Sequence, residues 1–334
     1  MTNLTFLATP LTAAIVCALL IILLRPLLAR YAMARPNARS SHAIPTPQGG
    51  GVAVIAATIA AVTLSSQIFG VRLDASLLVV FAATVFIAAV GAFDDLRPIP
   101  VLPRLLLQAI AIAIILATLP KGFQLFGFLP FWLEWALLLI GGLWFVNLVN
   151  FMDGLDWMTV SEIVPIAAAL ALFGASENLS STTTMMALAL GGAMIGFAPF
   201  NRPVAKLFLG DVGSLPIGLL TGWCLLQLAG AGHLIAALLL PLYYLADATI
   251  TLFRRIGNGE AIWVAHRTHF YQRATDNGFS VIRVVAEVLA LNIALAILAA
   301  ITIYSKSFNT NLIASLLGCA MVALVLIRFS RPRT

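Results

Sequence analysis

The stretch Phe131-Trp-Leu-Glu-Trp-Ala-Leu-Leu-Leu-Ile-Gly-Gly-Leu-Trp-Phe-Val-Asn-Leu-Val-Asn-Phe-Met-Asp-Gly154 decides how the whole chain is read. Its apolar run, Phe131 to Phe151, is long enough to cross a bilayer. Hydrocarbon excludes polar side chains unless something requires them, so Asn147, Asn150 and Asp153 need a reason. On a helix these three residues are each turned about 60° from the last, which places them on one face. Gly154 then frees the backbone at the membrane surface. The stretch reads as a polar tip presented by a buried helix, and as part of an active site.

The rest of the chain agrees with a membrane setting. It is 61% hydrophobic and 10% charged, with a mean hydropathy of +1.04. Apolar segments recur at Leu4–Leu24, Val52–Ile68, Ser76–Phe93, Val101–Leu119, Phe131–Phe151, Met158–Leu172, Thr183–Phe200, Val212–Leu228, His233–Phe253, Val281–Ile303 and Leu312–Ile327. The expected fold is an all-α polytopic integral membrane protein of about 10–11 transmembrane helices, a single domain over residues 1–334. The first segment lacks a small-residue cleavage site and leads into further spans, so it reads as a retained helix.

Charge orients the chain. With eleven spans, most of the 19 basic residues fall in loops on one side, and the other side keeps only Arg72, Lys121 and Lys306. This bias predicts a cytoplasmic C-terminus and an external N-terminus. The catalytic loops then lie at 31–51, 94–104, 147–157, 201–214 and 254–280, all cytoplasmic. Cys17, Cys224 and Cys319 are scattered in apolar runs with no zinc spacing, and no basic stripe interleaved with aromatics points to nucleic acid.

Each polar loop admits a structural and a chemical reading. Residues 39–51 (Arg39-Ser-Ser-His-Ala-Ile-Pro-Thr-Pro-Gln-Gly-Gly-Gly51) are either a Pro/Gly hinge or an anion-binding loop. In the second case Arg39, Ser41 and His42 contribute, and glycine amides stand open near a helix start. Asp94 and Asp95 end a helix where carboxylates oppose the macrodipole; they bind Mg²⁺, accept a proton, or pair with Arg97 or Arg104. Gly210 and Gly213 flank Asp211 at a helix start that suits a magnesium-bridged diphosphate, with Lys206 adding charge; the plain alternative is an Asp N-cap. Asp247 is either functional or paired with Arg254 and Arg255. His266-Arg267-Thr-His269-Phe-Tyr-Gln-Arg273 forms a cationic cluster suited to phosphate, or else a solvated amphipathic stretch. A Mg²⁺ site for a diphosphate-linked substrate, with a lipid as the second substrate, accommodates all of them together. A proton-coupled transporter is the competing class, but its acids belong near the midplane rather than at one face.

As a set, these motifs resemble a known family. Ser-Ser-His-x-x-Pro-Thr-Pro, Asp94-Asp95-Leu-Arg, Asn147-x-x-Asn-Phe-Met-Asp-Gly, Phe208-Leu-Gly-Asp-x-Gly-Ser214, Asp247-x₆-Arg254-Arg255 and His266-Arg-x-His269-x-Tyr-Gln occur in order from about residue 36 to 273. Together they look like the polyprenyl-phosphate N-acetylhexosamine-1-phosphate transferases, relatives of the MraY and WecA enzymes. The His-Arg-x-His-x-Tyr-Gln form looks more like the O-antigen branch than the peptidoglycan branch, whose reaction on UDP-MurNAc-pentapeptide is the alternative within the family. Two positions depart from the pattern: Gln48 stands where Arg is expected, and Trp157 where Gly is expected. The resemblance implies transfer of a sugar-1-phosphate from a UDP-N-acetylhexosamine (GlcNAc, FucNAc or QuiNAc) to undecaprenyl phosphate, with Mg²⁺ as cofactor and Mn²⁺ as a substitute. It implies a place in the bacterial inner membrane, Asp211 as principal metal ligand, and Asp94, Asp95 and Asp153 around it. Asn147 and Asn150 would bind nucleotide, and His266, Arg267 and His269 would stabilise phosphate charge. Apolar helix faces leave a homodimer open.

Overall fold

The structure, a computed structural model, describes residues 3–34, 45–120, 122–261, 266–305 and 307–332. Among these residues the chain forms thirteen helices and one small ribbon. The helices are α1 (Asn3–Tyr31), α2 (Gly51–Phe69), α3 (Ala75–Leu96), α4 (Val101–Leu116), α5 (Phe131–Met152), α6 (Met158–Ala175), α7 (Ser181–Phe197), α8 (Asp211–Gly230), α9 (Leu234–Leu239), α10 (Leu242–Gly257), α11 (Phe270–Asp276), α12 (Val281–Ser305) and α13 (Phe308–Phe329). The ribbon pairs β1 (Met33–Ala34) with β2 (Thr46–Pro47) antiparallel, Met33 opposite Pro47.

Eight helices are long and apolar enough to cross a membrane, and α4 and α7 are shorter apolar helices. Helices satisfy every backbone group internally, which is why they suit hydrocarbon. The chain is an all-α, multi-pass membrane protein. Every expected apolar segment falls on a helix, with one difference. The segment His233–Phe253 is not continuous: it divides into α9 and α10 at Pro241, which has no N–H to continue the ladder.

Apolar surface gives little drive for helices to associate in lipid, so close approach and polar contacts hold the bundle together. α7 and α8 are central and almost wholly buried. On α7, Gly192 and Gly196 admit α1: a Cβ at either would lie 2.2 Å from Pro10 O or 2.3 Å from Ala14 O. Thr9 Oγ1 donates to Ser65 Oγ at 2.8 Å between α1 and α2. Asn292 Nδ2 donates to Glu162 Oε2 at 2.6 Å between α12 and α6. α1, α12 and α13 expose Leu and Ile along their outer faces, as lipid-facing helices do.

Candidate active site

The site begins with backbone contacts. Beyond β2 the chain runs beside residues 206–209. Phe208 N donates to Pro47 O (2.8 Å), Gly50 N to Phe208 O (2.9 Å) and Gly51 N to Leu209 O (2.9 Å). These bonds press the start of α2 onto the start of α8, so that a Cβ on Gly51 would sit 2.1 Å from Gly213 Cα. A Cβ on Gly91 of α3 would likewise lie 2.3 Å from Asp211 O. The glycines are here for close approach. This corrects the reading of Gly50 and Gly51 as open phosphate-binding amides, because their N–H groups are already bonded.

A polar cavity of about 270 Å³ opens against this frame. Asp95, Asp153, Asp156 and Asp211 contribute to its wall, together with Gln48, Asn150, Asn201, Gly210, Ser214 and Gln272. Asn150 Nδ2 bridges Asp211 Oδ1 (2.7 Å) and Ser214 Oγ (2.8 Å). Asp95 accepts from the N–H groups of Asp211 (3.0 Å) and Val212 (3.1 Å), one on each oxygen. It thus caps the positive end of α8, where a carboxylate is stabilised. The first α8 amides, read from sequence as a phosphate cradle, are therefore occupied. Gly210 (φ +76°) makes the turn, and a Cβ there would be 2.6 Å from Asp95 Oδ2. Asp94 turns away to Arg104 Nη1 (2.7 Å) and Ile99 N (2.6 Å), as the pairing alternative for this residue anticipated, while still lying against the Asp211 carboxyl.

Asp153 stands just past the end of α5 and accepts from the Thr159 hydroxyl. Burial pushes its carboxyl up to about 7, Asp211, Asp95 and Asp156 push the same way, and the Thr159 bond works against them. Asp156 Oδ2 accepts from Ala205 N at 2.9 Å. Among the described residues no three carboxylate, imidazole or thiol groups form a ready-made metal cage.

A second acidic centre lies beside the first. Asp247 is completely buried on α10 and accepts from Tyr243 Oη (3.1 Å), Thr251 Oγ1 (3.4 Å), Phe270 N (3.0 Å) and Tyr271 N (3.1 Å), with His269 Nδ1 at 3.2 Å. Neither open reading of Asp247 named these partners. Arg254 instead donates to Thr268 O (2.6 Å), and Arg255 to Glu260 (2.9 Å) and Ala261 O (2.8 Å). The knot fixes the start of α11, whose Tyr271 hydroxyl donates to Phe151 O at 2.9 Å. Gly154 allows this junction: a Cβ there would be 2.2 Å from Tyr271 Oη and 2.9 Å from Gln272 Nε2.

Among the residues singled out in the sequence, Asp95, Asn150, Asp153, Gly210 and Asp211 meet at the cavity. Asn147 does not; it faces α4 and donates to Gln108 Oε1 at 2.7 Å and Leu143 O at 2.8 Å. Lys206 is exposed. His266, Arg267, His269 and Arg273 are not among the cavity's described lining residues. The rings of His266 and His269 stack at 4.9 Å, and Arg267 pairs with Asp276 at 3.2 Å. Arg39, Ser41 and His42 lie outside the described residues. Asp156, Asn201, Ser214 and Gln272 were not named as site residues, although Gln272 closes the His266-Arg-x-His269-x-Tyr-Gln motif and Ser214 belongs to the glycine-rich turn; Gln48 was marked only as a departure from the family pattern.

The two departures from the family pattern are both accommodated. Gln48 Nε2 donates to Asp95 O at 3.1 Å. Trp157 adopts φ +64°, a conformation that favours glycine. Its N–H donates to Asn201 Oδ1 (2.8 Å) and its indole N–H to Ala198 O (2.6 Å), which together hold the strained residue in place.

Fold and site together define a multi-pass membrane protein whose acidic residues converge at one end of the bundle. The family model for glycosyl transferase family 4 matches residues 77–229, a range that includes Asp94, Asp95, Asn150, Asp153 and Asp211. The decaprenyl-phosphate N-acetylglucosaminephosphotransferase of Mycobacterium leprae is 28% identical over 87% of this chain and 81% of its own length. That of Mycolicibacterium smegmatis is 28% identical over 95% of this chain and 86% of its own. A phospho-N-acetylmuramoyl-pentapeptide-transferase of Heliobacterium modesticaldum is 45% identical over a shorter match, 25% of each chain. Over residues 77–229 the chain is thus similar to glycosyl transferase family 4, and over most of its length to decaprenyl-phosphate N-acetylglucosaminephosphotransferases.

Proposed function

We propose that this protein transfers an N-acetylhexosamine-1-phosphate from a UDP-sugar to undecaprenyl phosphate, releasing UMP on the cytoplasmic face of a bacterial inner membrane. One observation carries the reading. The acid-lined cavity lies one helical turn from an apolar cavity of about 310 Å³ between α4, α5, α8 and α9. On α5 the step runs from Asn150 to Val146, and on α8 from Ser214 to Gly218. A water-soluble diphosphate and a prenyl chain need such neighbouring compartments.

The donor set fits a magnesium ion. Mg²⁺ is commonly held by one or two carboxylates plus substrate phosphates and keeps several waters, so a full protein cage is not needed. The wall carries four carboxylates and no Lys, Arg or His among its described lining residues, so a diphosphate entering it requires a cation. Asp211 and Asp153 would hold the ion, because both carboxyls line the cavity and each accepts from a neutral side-chain donor rather than from a cation. Bound there, it would neutralise the diphosphate oxygens during attack. Asp95 fixes the helix start that carries Asp211, and Asp94 braces it from Arg104. In the reaction a lipid phosphate oxygen bonds to the β-phosphorus as the bond to the bridging oxygen breaks. UMP leaves with that oxygen and its electron pair. Arg267 and Arg273 would supply cationic donors to the substrate phosphates, with His266 and His269 as further hydrogen-bonding groups. The His-Arg-x-His-x-Tyr-Gln form supports a role in starting lipid-linked O-antigen.

The test uses membranes containing the protein, undecaprenyl phosphate and Mg²⁺, with UDP-GlcNAc, UDP-FucNAc, UDP-QuiNAc and UDP-MurNAc-pentapeptide offered separately. UMP released with an N-acetylhexosamine donor and abolished by EDTA is the expected result. UMP released only with the pentapeptide donor would move the protein to peptidoglycan synthesis. No UMP with any donor would sink the reaction.

A further inference from the structure

Gln272 stands out in the cavity wall. It is 7% exposed, and its Oε1 is buried with no donor among the described residues. The other neutral polar side chains of the wall have visible occupations. Asn150 bridges Asp211 and Ser214, Asn201 holds Trp157 and Leu207, and Gln48 reaches Asp95 O. The position of Gln272 is also enforced. Asp247 pins the start of α11, Tyr271 ties that helix to Phe151 O, and Gly154 leaves the gap into which the carboxamide fits. A wall so firmly built around an unsatisfied acceptor has a purpose other than stability.

We infer that Gln272 binds the nucleotide-sugar donor, its Oε1 accepting a hydrogen bond from an N–H or O–H of that substrate. The inference rests on the transfer reading and adds a residue to it. The acceptor is neutral, unlike the four carboxylates around it, so it recognises a substrate N–H or O–H without competing for the metal. Such donors occur on the nucleoside and on the N-acetylated sugar, and both offer the same chemistry to Oε1.

The experiment compares wild type with Gln272→Met, which keeps the volume and removes the acceptor; Gln272→Ala replaces it should the Met variant fail to fold. UMP release gives KM and kcat for each donor, UMP itself is used as a competitor, and thermal unfolding is followed on ligand-free protein. The expected result is a donor KM raised on the order of 10-fold with kcat little changed, and an unfolding temperature equal to or above wild type, since an unsatisfied buried acceptor has been removed. A matching loss of UMP affinity assigns the contact to the nucleoside, and an unchanged UMP affinity assigns it to the sugar. Unchanged KM for every donor that wild type uses overturns the role of Gln272 and leaves the transfer reading intact. A lower unfolding temperature with unchanged KM makes the residue structural, which also overturns it. If wild type releases no UMP with any donor, the transfer reading falls first and this inference with it.

Discussion

Asp247 and Asp211 are aspartates at the same end of the bundle, the first fully buried and the second half-buried, and their surroundings differ in kind. Asp247 has four donors and an imidazole around its two oxygens and lines neither the polar nor the apolar cavity. Asp211 receives one side-chain donor, lies against Asp94 and opens into a cavity shared with Asp153 and Asp156. A carboxylate whose lone pairs are all answered by protein holds structure in place. A carboxylate that faces its own kind across water-accessible space has its charge left for a cation. The contrast separates the two roles where residue type alone does not.

The most severe test of the contrast is Asp211→Asn. Loss of the carboxylate should lower kcat for UMP release on the order of 10³-fold with little change in unfolding temperature. A fall of less than tenfold would remove Asp211 from the metal site. Asp247→Asn should do the reverse. Breaking a buried, fully bonded carboxylate destabilises by about 3 kcal/mol, and loosening His269 and α11 slows turnover roughly 10- to 100-fold. Thermal unfolding and kinetics measured on one preparation separate the two effects, and unchanged stability would remove Asp247 from its structural role. Gly154→Ala comes next, at about 1–3 kcal/mol, because the new Cβ meets the Tyr271 hydroxyl. Adding Tyr271→Phe should recover part of that loss; a double variant as unstable as the sum of the two singles would show that the contact is not the cause. The smallest effect separates Trp157→Gly from Trp157→Ala. Both lose the indole bond, and glycine should be the more stable by about 1 kcal/mol because φ is positive. Equal stabilities would contradict the left-handed backbone at 157.

What the sequence revealed follows the physics of each signal. The spans were legible because lipid demands long apolar runs, and only Pro241 broke one of them. Asn150, Asp153 and Asp211 were legible because polar groups at apolar helix ends are rare. Asn147 was misplaced because 60° steps accumulate: six residues separate it from Asp153, about 120° around the helix, far enough to face Gln108 on α4. The glycine loops showed that something approaches closely, but not whether it is a phosphate or another helix. Three partners of Asp247 lie 22–24 residues away at the start of α11, and no local pattern announces a bond to the amides of Phe270 and Tyr271. Gln272 escaped for the same reason. Its importance lies in a missing partner, and that is a property of three-dimensional space.

At Gly51 and Gly213 two backbones meet with no side chains between them, and such a joint offers nothing to substitute. The α2–α8 joint, with Asp211 at its edge and Asp95 of α3 capping it, is the fixed half of a mould. New donor preferences have to be carved in the opposite half, along α11 and the turn that follows Gly154, where side chains still line the space.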